Sequence, residues 1–207
     1  MDEVNLDFTK EYFYSVLKGD CEIDIKLNAL LNFCDDFLRK NYEKFNLKEI
    51  DCRAGCGHCC ILNIATLEPE IKNIINYINS NFDDTGRRSL KEKIKESYFM
   101  VKGLDDEERI FLRKKCVFLT DTFACSIYPV RPILCRSVTS TSAERCRESI
   151  AAACFGEKLS IISNLYVKEL YLLLFNTFTE YLERENLFSK SKKLTVWLKE
   201  YMECIED

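Results

Sequence analysis

Cysteine is the residue type that most constrains how this chain of 207 residues can fold. The sequence contains twelve cysteines, and nine of them lie between residues 52 and 154. Disulfides are rare in a reducing cytosol, so thiols that cluster in a sequence are more typical there of metal ligands or redox groups. We therefore expect the middle of the chain to fold around thiolates that bind a metal.

The segments that flank the cysteine-rich part have the apolar spacing of amphipathic helices. Ile23, Leu27 and Leu31 recur on one helical face, and Cys34 continues that face, where a small thiol needs no role beyond packing. The low content of glycine and proline, six and three residues, also favours long regular elements. The predicted fold is mainly α, a helical domain wrapped around an irregular, metal-stapled cysteine-rich core with at most short β pieces.

The sequence predicts a single domain, 1–207, with three parts. N-terminal helices occupy 1–50, a cysteine-cluster metal-binding core occupies 51–156, and C-terminal helices occupy 157–207. Because proline interrupts a helix, Pro129 and Pro132 favour an irregular loop that carries ligands between residues 116 and 138. The run from Thr141 to Glu144 resembles a capping box, which predicts a helix that carries Cys146.

Charge and hydropathy argue against two classes of partner. The net charge of −4 gives no broad attraction to nucleic acid. Met1 is followed by acidic residues and not by a basic and then apolar leader, and no run of about 18 apolar residues is present. We expect a cytoplasmic protein that binds neither nucleic acid nor membranes.

The first cysteine cluster runs from Cys52 to Cys60. Within it, Cys56 and Cys59 form a C-x-x-C knuckle, in which two intervening residues let both sulfurs point at one ion, and Gly57 permits a tight turn. The neighbouring side chains of Cys59 and Cys60 diverge in an extended chain, so they could bind two different metals, or one could stay a free thiolate. His58 is the only histidine and lies inside the knuckle, where side chains usually point away from the metal.

The second cysteine block is the string from Cys125 to Arg136, which reads CSIYPVRPILCR. Its spacing is too long for a single knuckle and suits ligands that the fold brings together. Cys116 precedes the string and Cys146 follows it.

These two blocks resemble a known family of small bacterial cysteine-cluster proteins, named for a CxxCxxCC motif and described as chelating zinc or iron. The resemblance rests on 56–60, Thr66 as the cap of a helix, Cys116, 125–136 and Cys146. It implies that cysteine thiolates bind a metal. The metal ligands it implies are Cys52, Cys56, Cys59, Cys60, Cys116, Cys125, Cys135 and Cys146. Cys52 is the least secure, because three residues separate it from Cys56 where the family name has two.

The resemblance implies an iron–sulfur cluster, [4Fe–4S] being the expected type, or Zn²⁺. Four thiolates leave either centre with about two negative charges. Arg131 and Arg136 stand on both sides of Cys135, and a guanidinium lowers the cost of burying such a charge. We therefore predict that Arg131 and Arg136 are cofactor-binding residues, which lie next to the thiolates and offset their negative charge.

Three functions remain open at this point. The first is a metal-binding protein whose centre is structural, stored or redox-active. The second is an S-adenosylmethionine-dependent methylase that acts on protein lysines, because a related cysteine cluster occurs in flagellin lysine methylases. The third is a structural zinc module that presents helices to a partner. No glycine-rich nucleotide loop supports an enzyme, and the sequence identifies no catalytic residue.

A fourth interpretation is weaker. The spacing of Cys52, Cys56 and Cys59 is also that of the radical S-adenosylmethionine motif. That motif belongs to an α/β partial barrel with repeated strand–helix units, and the segments that follow here have helical periodicity.

Overall fold

The computed structural model describes residues 6–187 and 190–206, and it is mainly helical, as the sequence predicts. The α-helices of these residues are α1 (Asp7–Lys18), α2 (Ile23–Lys40), α3 (Glu68–Asn81), α4 (Asp84–Val101), α5 (Asp106–Leu112), α6 (Ile133–Ser137), α7 (Ala143–Ala153), α8 (Leu165–Arg184) and α9 (Leu194–Glu200). Two short strands, β1 (Ala65–Thr66) and β2 (Lys192–Lys193), pair antiparallel, with Ala65 opposite Lys193.

One hydrophobic core lies among α1, α2 and α8. Phe13, Leu27 and Leu174, one from each helix, are completely buried in it. Cys34 is also completely buried there, on the apolar face of α2 that the sequence predicts. Ile133 of α6 packs into the same core, so this core holds the start of the helix that carries Cys135.

A second hydrophobic core lies among α3, α4 and α9. Ile74, Ile94 and Trp197 are buried in it, one from each helix. Phe118 and Ile127 of the cysteine-rich segment pack into this core as well. The cysteine-rich segment is therefore anchored to both cores, which fixes the backbone on either side of its thiols.

Glu70 joins the start of α3 to the start of α6. Its carboxylate accepts one hydrogen bond from the backbone N–H of Leu67 (2.8 Å) and another from that of Ile133 (2.6 Å). The prediction that Thr66 caps α3 is wrong, because Thr66 lies in β1 and the carboxylate of Glu70 satisfies the backbone at the helix start. Burial raises the pKa of Glu70 to about 7. The two backbone hydrogen bonds favour the ionised carboxylate and act in the opposite direction, but they do not cancel the effect of burial.

The stretch from residue 116 to 138 is only partly the irregular loop that the sequence predicts. An isolated β-bridge joins Leu119 to Cys125, and a 3-10 helix spans Tyr128–Val130. Its last residues instead form α6, which begins directly after Pro132. Proline is tolerated at that position because the residues at a helix start donate no intrahelical hydrogen bond. Cys135 therefore lies on a helix and not in a loop.

The predicted helix that carries Cys146 is confirmed as α7. The Ser142 hydroxyl caps it by accepting a hydrogen bond from the backbone N–H of Arg145 (3.0 Å). Glu144 pairs with Arg147 and does not complete a capping box. None of the helices in the described ranges is both long and apolar enough to cross a membrane.

Candidate metal centre

The start of the first cysteine cluster is fastened to the N-terminus of α7. The backbone N–H of Asp51 donates to Ser140 O (2.9 Å), and its carboxylate accepts from the N–H of Ala143 (2.8 Å). The sulfur of Cys52 accepts a hydrogen bond from the N–H of Ser140 (3.3 Å). These contacts place Cys52 beside the helix that carries Cys146.

We call Cys52, Cys56 and Cys146 the outer thiols. Burial raises the pKa of Cys52, and the hydrogen bond from Ser140 opposes this rise. Negative charge on Cys59 raises that pKa further, and so does charge on Cys56 or on Cys146. Such mutual repulsion between thiolates is what a bound cation would remove.

Two glycines shape the loop between the outer thiols and Cys59. Gly55 has a φ of 90°, a backbone conformation that side chains disfavour. Gly57 has a negative φ, so the tight turn expected of it belongs to Gly55. A side chain at Gly57 would stand 2.9 Å from the methyl groups of Leu119. The role of Gly57 is therefore to let the first cluster pack against the segment that begins at Cys116.

We call Cys59, Cys60, Cys116, Cys125 and Cys135 the inner thiols. The backbone N–H of Cys116 donates to Cys60 O at 2.6 Å, which joins the two cysteine blocks directly. Burial raises the pKa of Cys116 to about 11, and negative charge on Cys125 or Cys59 adds to the rise. Burial likewise raises the pKa of Cys135, with further contributions from Cys116, Cys59 and Cys125. The inner thiols therefore share one neighbourhood.

The adjacent thiols Cys59 and Cys60 do not diverge as they would in an extended chain. They lie in a 3-10 helix, His58–Ile61. The neighbouring Cys60 thiol lowers the pKa of Cys59, burial opposes this, and the charge of Arg131 adds to the lowering. Cys59 is therefore the inner thiol that ionises most readily.

Arg131 lies near the inner thiols, since its charge acts on Cys59, Cys125 and Cys135. Its guanidinium carbon stands 4.4 Å from the centre of the Tyr128 ring, and its buried Nε has no hydrogen-bond partner among the described residues. Burial raises the pKa values of Cys125 and Cys135, and the charge of Arg131 opposes that rise. The contact with Tyr128 fixes the guanidinium beside the thiols.

The structure does not bring Arg136 to the thiols. Its buried guanidinium pairs through Nη1 with both carboxylate oxygens of Asp35 (3.1 and 2.8 Å). Its other nitrogens donate to the carbonyl oxygens of Pro129 (2.7 Å) and Arg131 (3.1 Å). Arg136 therefore clamps the loop before α6 onto α2, because its charge and its hydrogen bonds are already used there.

Sequence reasoning missed Arg109. This residue of α5 is only 2% exposed, and its Nη1 is buried with no hydrogen-bond partner in the described part of the chain. Its positive charge opposes the rise that burial causes in the pKa of Cys116. No pattern in the sequence separates Arg109 from the exposed charged residues around it, since only the docking of α5 buries it.

A family model matches residues 51–155, which is half of the chain, and its description is a candidate zinc- or iron-chelating domain with the motif CxxCxxCC. The chain belongs to the CxxCxxCC family. No curated protein and no solved structure matches it. The CxxCxxCC domain contains all the inner and outer thiols, together with Arg109 and Arg131.

A cavity of about 350 Å³ opens beside Cys56 of the CxxCxxCC domain. Cys56, His58 and Glu144 contribute to its wall, with Asp51 and Arg53 at the start of the cluster. His58 therefore borders this cavity between the first cysteine cluster and α7. Among the outer thiols, Cys56 is the one that lines the cavity.

The remaining cysteines lie apart from these two groups. Cys34 is buried in the first core, and Cys21 and Cys204 are exposed. The sulfur of Cys154, at the end of α7, accepts a hydrogen bond from Nη2 of Arg113 (2.8 Å). The thiol of Cys154 is therefore engaged with Arg113 and not with the inner thiols.

The donor chemistry of the CxxCxxCC domain fits zinc or an iron–sulfur cluster, because both prefer thiolate ligands. Within 6–187 and 190–206, however, no three His, Cys, Asp or Glu side chains are grouped so that they could hold a metal ion as they stand. The backbone brings the two cysteine blocks together, since the N–H of Cys116 donates to Cys60 O, but in the described part of the chain the side chains are not grouped as a ligand set.

Proposed function

We propose that this CxxCxxCC domain binds a metal centre through its inner thiols, Cys59, Cys60, Cys116, Cys125 and Cys135. The outer thiols, Cys52, Cys56 and Cys146, are its further ligands. The observation that carries the proposal is the meeting of thiols from three separate segments beside two arginines, the buried Arg109 and the half-buried Arg131, each of which has a buried nitrogen without a partner among the described residues. Thiolates next to fixed positive charge are prepared for a soft cation.

The bound group is an iron–sulfur cluster, with [4Fe–4S] as the expected type, or Zn²⁺. Zinc would cross-link the cysteine-bearing segments, and a cluster would add electron transfer to the same cross-link. The chain itself holds the thiols near the two arginines and leaves Cys116 and Cys135 only partly exposed to water. Because these ligands must be reduced to bind metal, we place the protein in the cytoplasm.

Metal binding by these residues must depend strongly on pH. Burial makes Cys116 and Cys135 hard to ionise, so their protons leave only when a cation compensates for the thiolate charge. Lowering the pH therefore returns protons to the thiols and releases the metal. The same reasoning predicts that the apo protein reacts slowly with thiol reagents at Cys135 and faster at Cys59.

The first test is the metal content of protein purified without oxygen. Iron, zinc and acid-labile sulfide are counted on one sample, together with its absorption spectrum. Matched iron and sulfide with a broad band near about 400 nm would establish a cluster, and a colourless protein with stoichiometric zinc would establish a zinc site. Protein that holds neither metal would overturn the proposal.

Single substitutions identify the ligands. Cys59→Ser, Cys60→Ser, Cys125→Ser and Cys135→Ser each lower the metal content, while Cys204→Ser, at an exposed position, is the matched control and retains it. Full metal retention in Cys125→Ser would remove the second cysteine block from the ligand set.

A further inference from the structure

Arg109 presents a problem of electrostatics inside the CxxCxxCC domain. It is 2% exposed, yet no carboxylate of the described chain lies within ion-pair distance of it, and its Nη1 has no hydrogen-bond partner there. Burial of an unpaired charge is strongly unfavourable. A guanidinium in this position therefore needs an anion that the side chains, with their thiols protonated, do not supply.

The position of Arg109 is fixed at both ends of its helix. At the start of α5, the side-chain amide of Asn63 donates to Asp105 O (3.2 Å) and to the Asp106 carboxylate (3.0 Å). After its end, the N–H of Cys116 donates to Cys60 O (2.6 Å). Both anchors belong to the segment that carries Cys60, and α5 also packs against α7, the helix of Cys146. Arg109 is therefore held on a helix next to the cysteine-bearing segments.

The thiols are the acidic groups that face Arg109. Cys116 is the ionisable side chain whose charge acts on it, and Cys116 shares its neighbourhood with Cys59 and Cys125. The carboxylates at the start of α5 are otherwise engaged. Asp105 and Glu108 cap the backbone, Asp106 accepts from Asn63, and Glu107 pairs with Lys158. An anion that pairs with Arg109 must therefore form at the inner thiols.

We infer that Arg109 is the counter-charge of an anionic metal–thiolate centre and acts as a positioning residue for it. This inference rests on the proposed function. Three or more thiolates around Zn²⁺, or four around a [4Fe–4S] cluster, carry net negative charge, whereas two thiolates and two imidazoles around Zn²⁺ would be neutral. A chain with His58 as its only histidine cannot supply the neutral set. The buried guanidinium thus favours a centre with three or more thiolates.

The test is the pH at which metal leaves the protein. Metal-loaded protein is titrated with acid in the presence of a fixed excess of chelator, and bound zinc or iron is counted at each pH. Removal of the positive charge in Arg109→Gln favours the protonated thiols, so we expect half-release at a pH about one unit higher than in the wild type. Arg109→Lys keeps the charge and should move the midpoint by less than half as much.

Arg87→Gln is the matched control. Arg87 is also largely buried, but its guanidinium donates to the carbonyl oxygens of Asn79 (3.1 Å) and Phe82 (2.7 Å) and pairs with Asp84 on α4. Its replacement lowers stability and should leave the midpoint of metal release unchanged. A role of Arg109 in packing alone would likewise leave that midpoint unchanged.

Each outcome is decisive. A midpoint in Arg109→Gln equal to that of the wild type would overturn the inference and leave the proposed function standing. A wild type without metal at neutral pH would overturn both. If Arg109→Gln is not obtained in soluble form, Arg109→Met, which removes the charge and keeps an unbranched side chain, takes its place: a rise of about one pH unit supports the counter-charge, and a midpoint equal to that of the wild type overturns it.

Discussion

An ion pair between Arg136 and Asp35 connects α6, the helix of Cys135, to α2. One nitrogen of Arg136 stands 3.1 and 2.8 Å from the two carboxylate oxygens of Asp35, and the Tyr171 hydroxyl donates to the same carboxylate at 2.6 Å. Arg136 is only 5% exposed. Three segments that are distant in the sequence, on α2, α6 and α8, thus meet at one carboxylate.

We expect Asp35→Ala to lower the free energy of unfolding by about 2 kcal/mol. The substitution leaves the buried charge of Arg136 without its partner and removes the acceptor of Tyr171. Urea denaturation measures the loss. Asp36→Ala is the control, because Asp36 pairs with Arg39 where both side chains are exposed, and we expect its effect to stay below about 0.5 kcal/mol. Equal effects of the two substitutions would contradict this account.

Cys34→Ser should destabilise the protein without removing metal. Cys34 is completely buried in the first core, and burial raises its pKa, so its thiol is neutral and packs as a small hydrophobe. A hydroxyl without a partner at that site costs about 1–3 kcal/mol in denaturation. The exposed Cys204→Ser should change neither stability nor metal content. Loss of metal from Cys34→Ser would place this cysteine among the ligands.

Glu70 should make stability fall as the pH rises through the weakly acidic range. Burial raises its pKa in the folded protein to about 7, above the ordinary value of 4.5, so the unfolded chain loses this proton first. Between about pH 4.5 and 7 the free energy of unfolding should therefore drop by up to about 3 kcal/mol on this account. Denaturation of the wild type and Glu70→Gln over this range, in the same metal state, measures the difference.

Glu68 is the control for Glu70. Burial acts to raise the pKa of Glu68, but hydrogen bonds from Lys72 and Tyr201 outweigh it and lower the pKa. The titration of Glu68 therefore lies below pH 4.5, and Glu68→Gln should keep the wild-type slope between pH 5 and 7. If Glu70→Gln also kept that slope, Glu70 would be ionised throughout.

Gly57→Ala should weaken both the fold of the first cysteine cluster and its metal binding. The new methyl group would lie 2.9 Å from the side-chain methyls of Leu119, and overpacking of this kind costs about 1–3 kcal/mol. Because the clash is with the end of a side chain, the double substitution Gly57→Ala with Leu119→Ala should recover metal content. Gly103→Ala is the control, since a methyl group there meets no atom within 4 Å. Metal counts that are the same in all three variants would exclude close packing as the role of Gly57.

The sequence alone determined the class of the fold and the type of chemistry. Apolar residues at helical spacing fixed α1, α2 and the buried position of Cys34, because a helix of this composition has only one face that it can bury. Twelve cysteines restricted the chemistry to thiolates, and the motif in 56–60 and 125–136 indicated the CxxCxxCC family.

Only the tertiary structure decided which arginines face the thiols. Arg131, Arg136 and Arg109 are equivalent in sequence as charged residues near cysteines, but their charges are used differently. Asp35, which lies 101 residues away in the chain, withdraws Arg136 from the cysteine cluster, and the docking of α5 buries Arg109 beside Cys116. Electrostatic partners are set by distance in space, and local sequence spacing carries no record of contacts that form only when separate helices pack together.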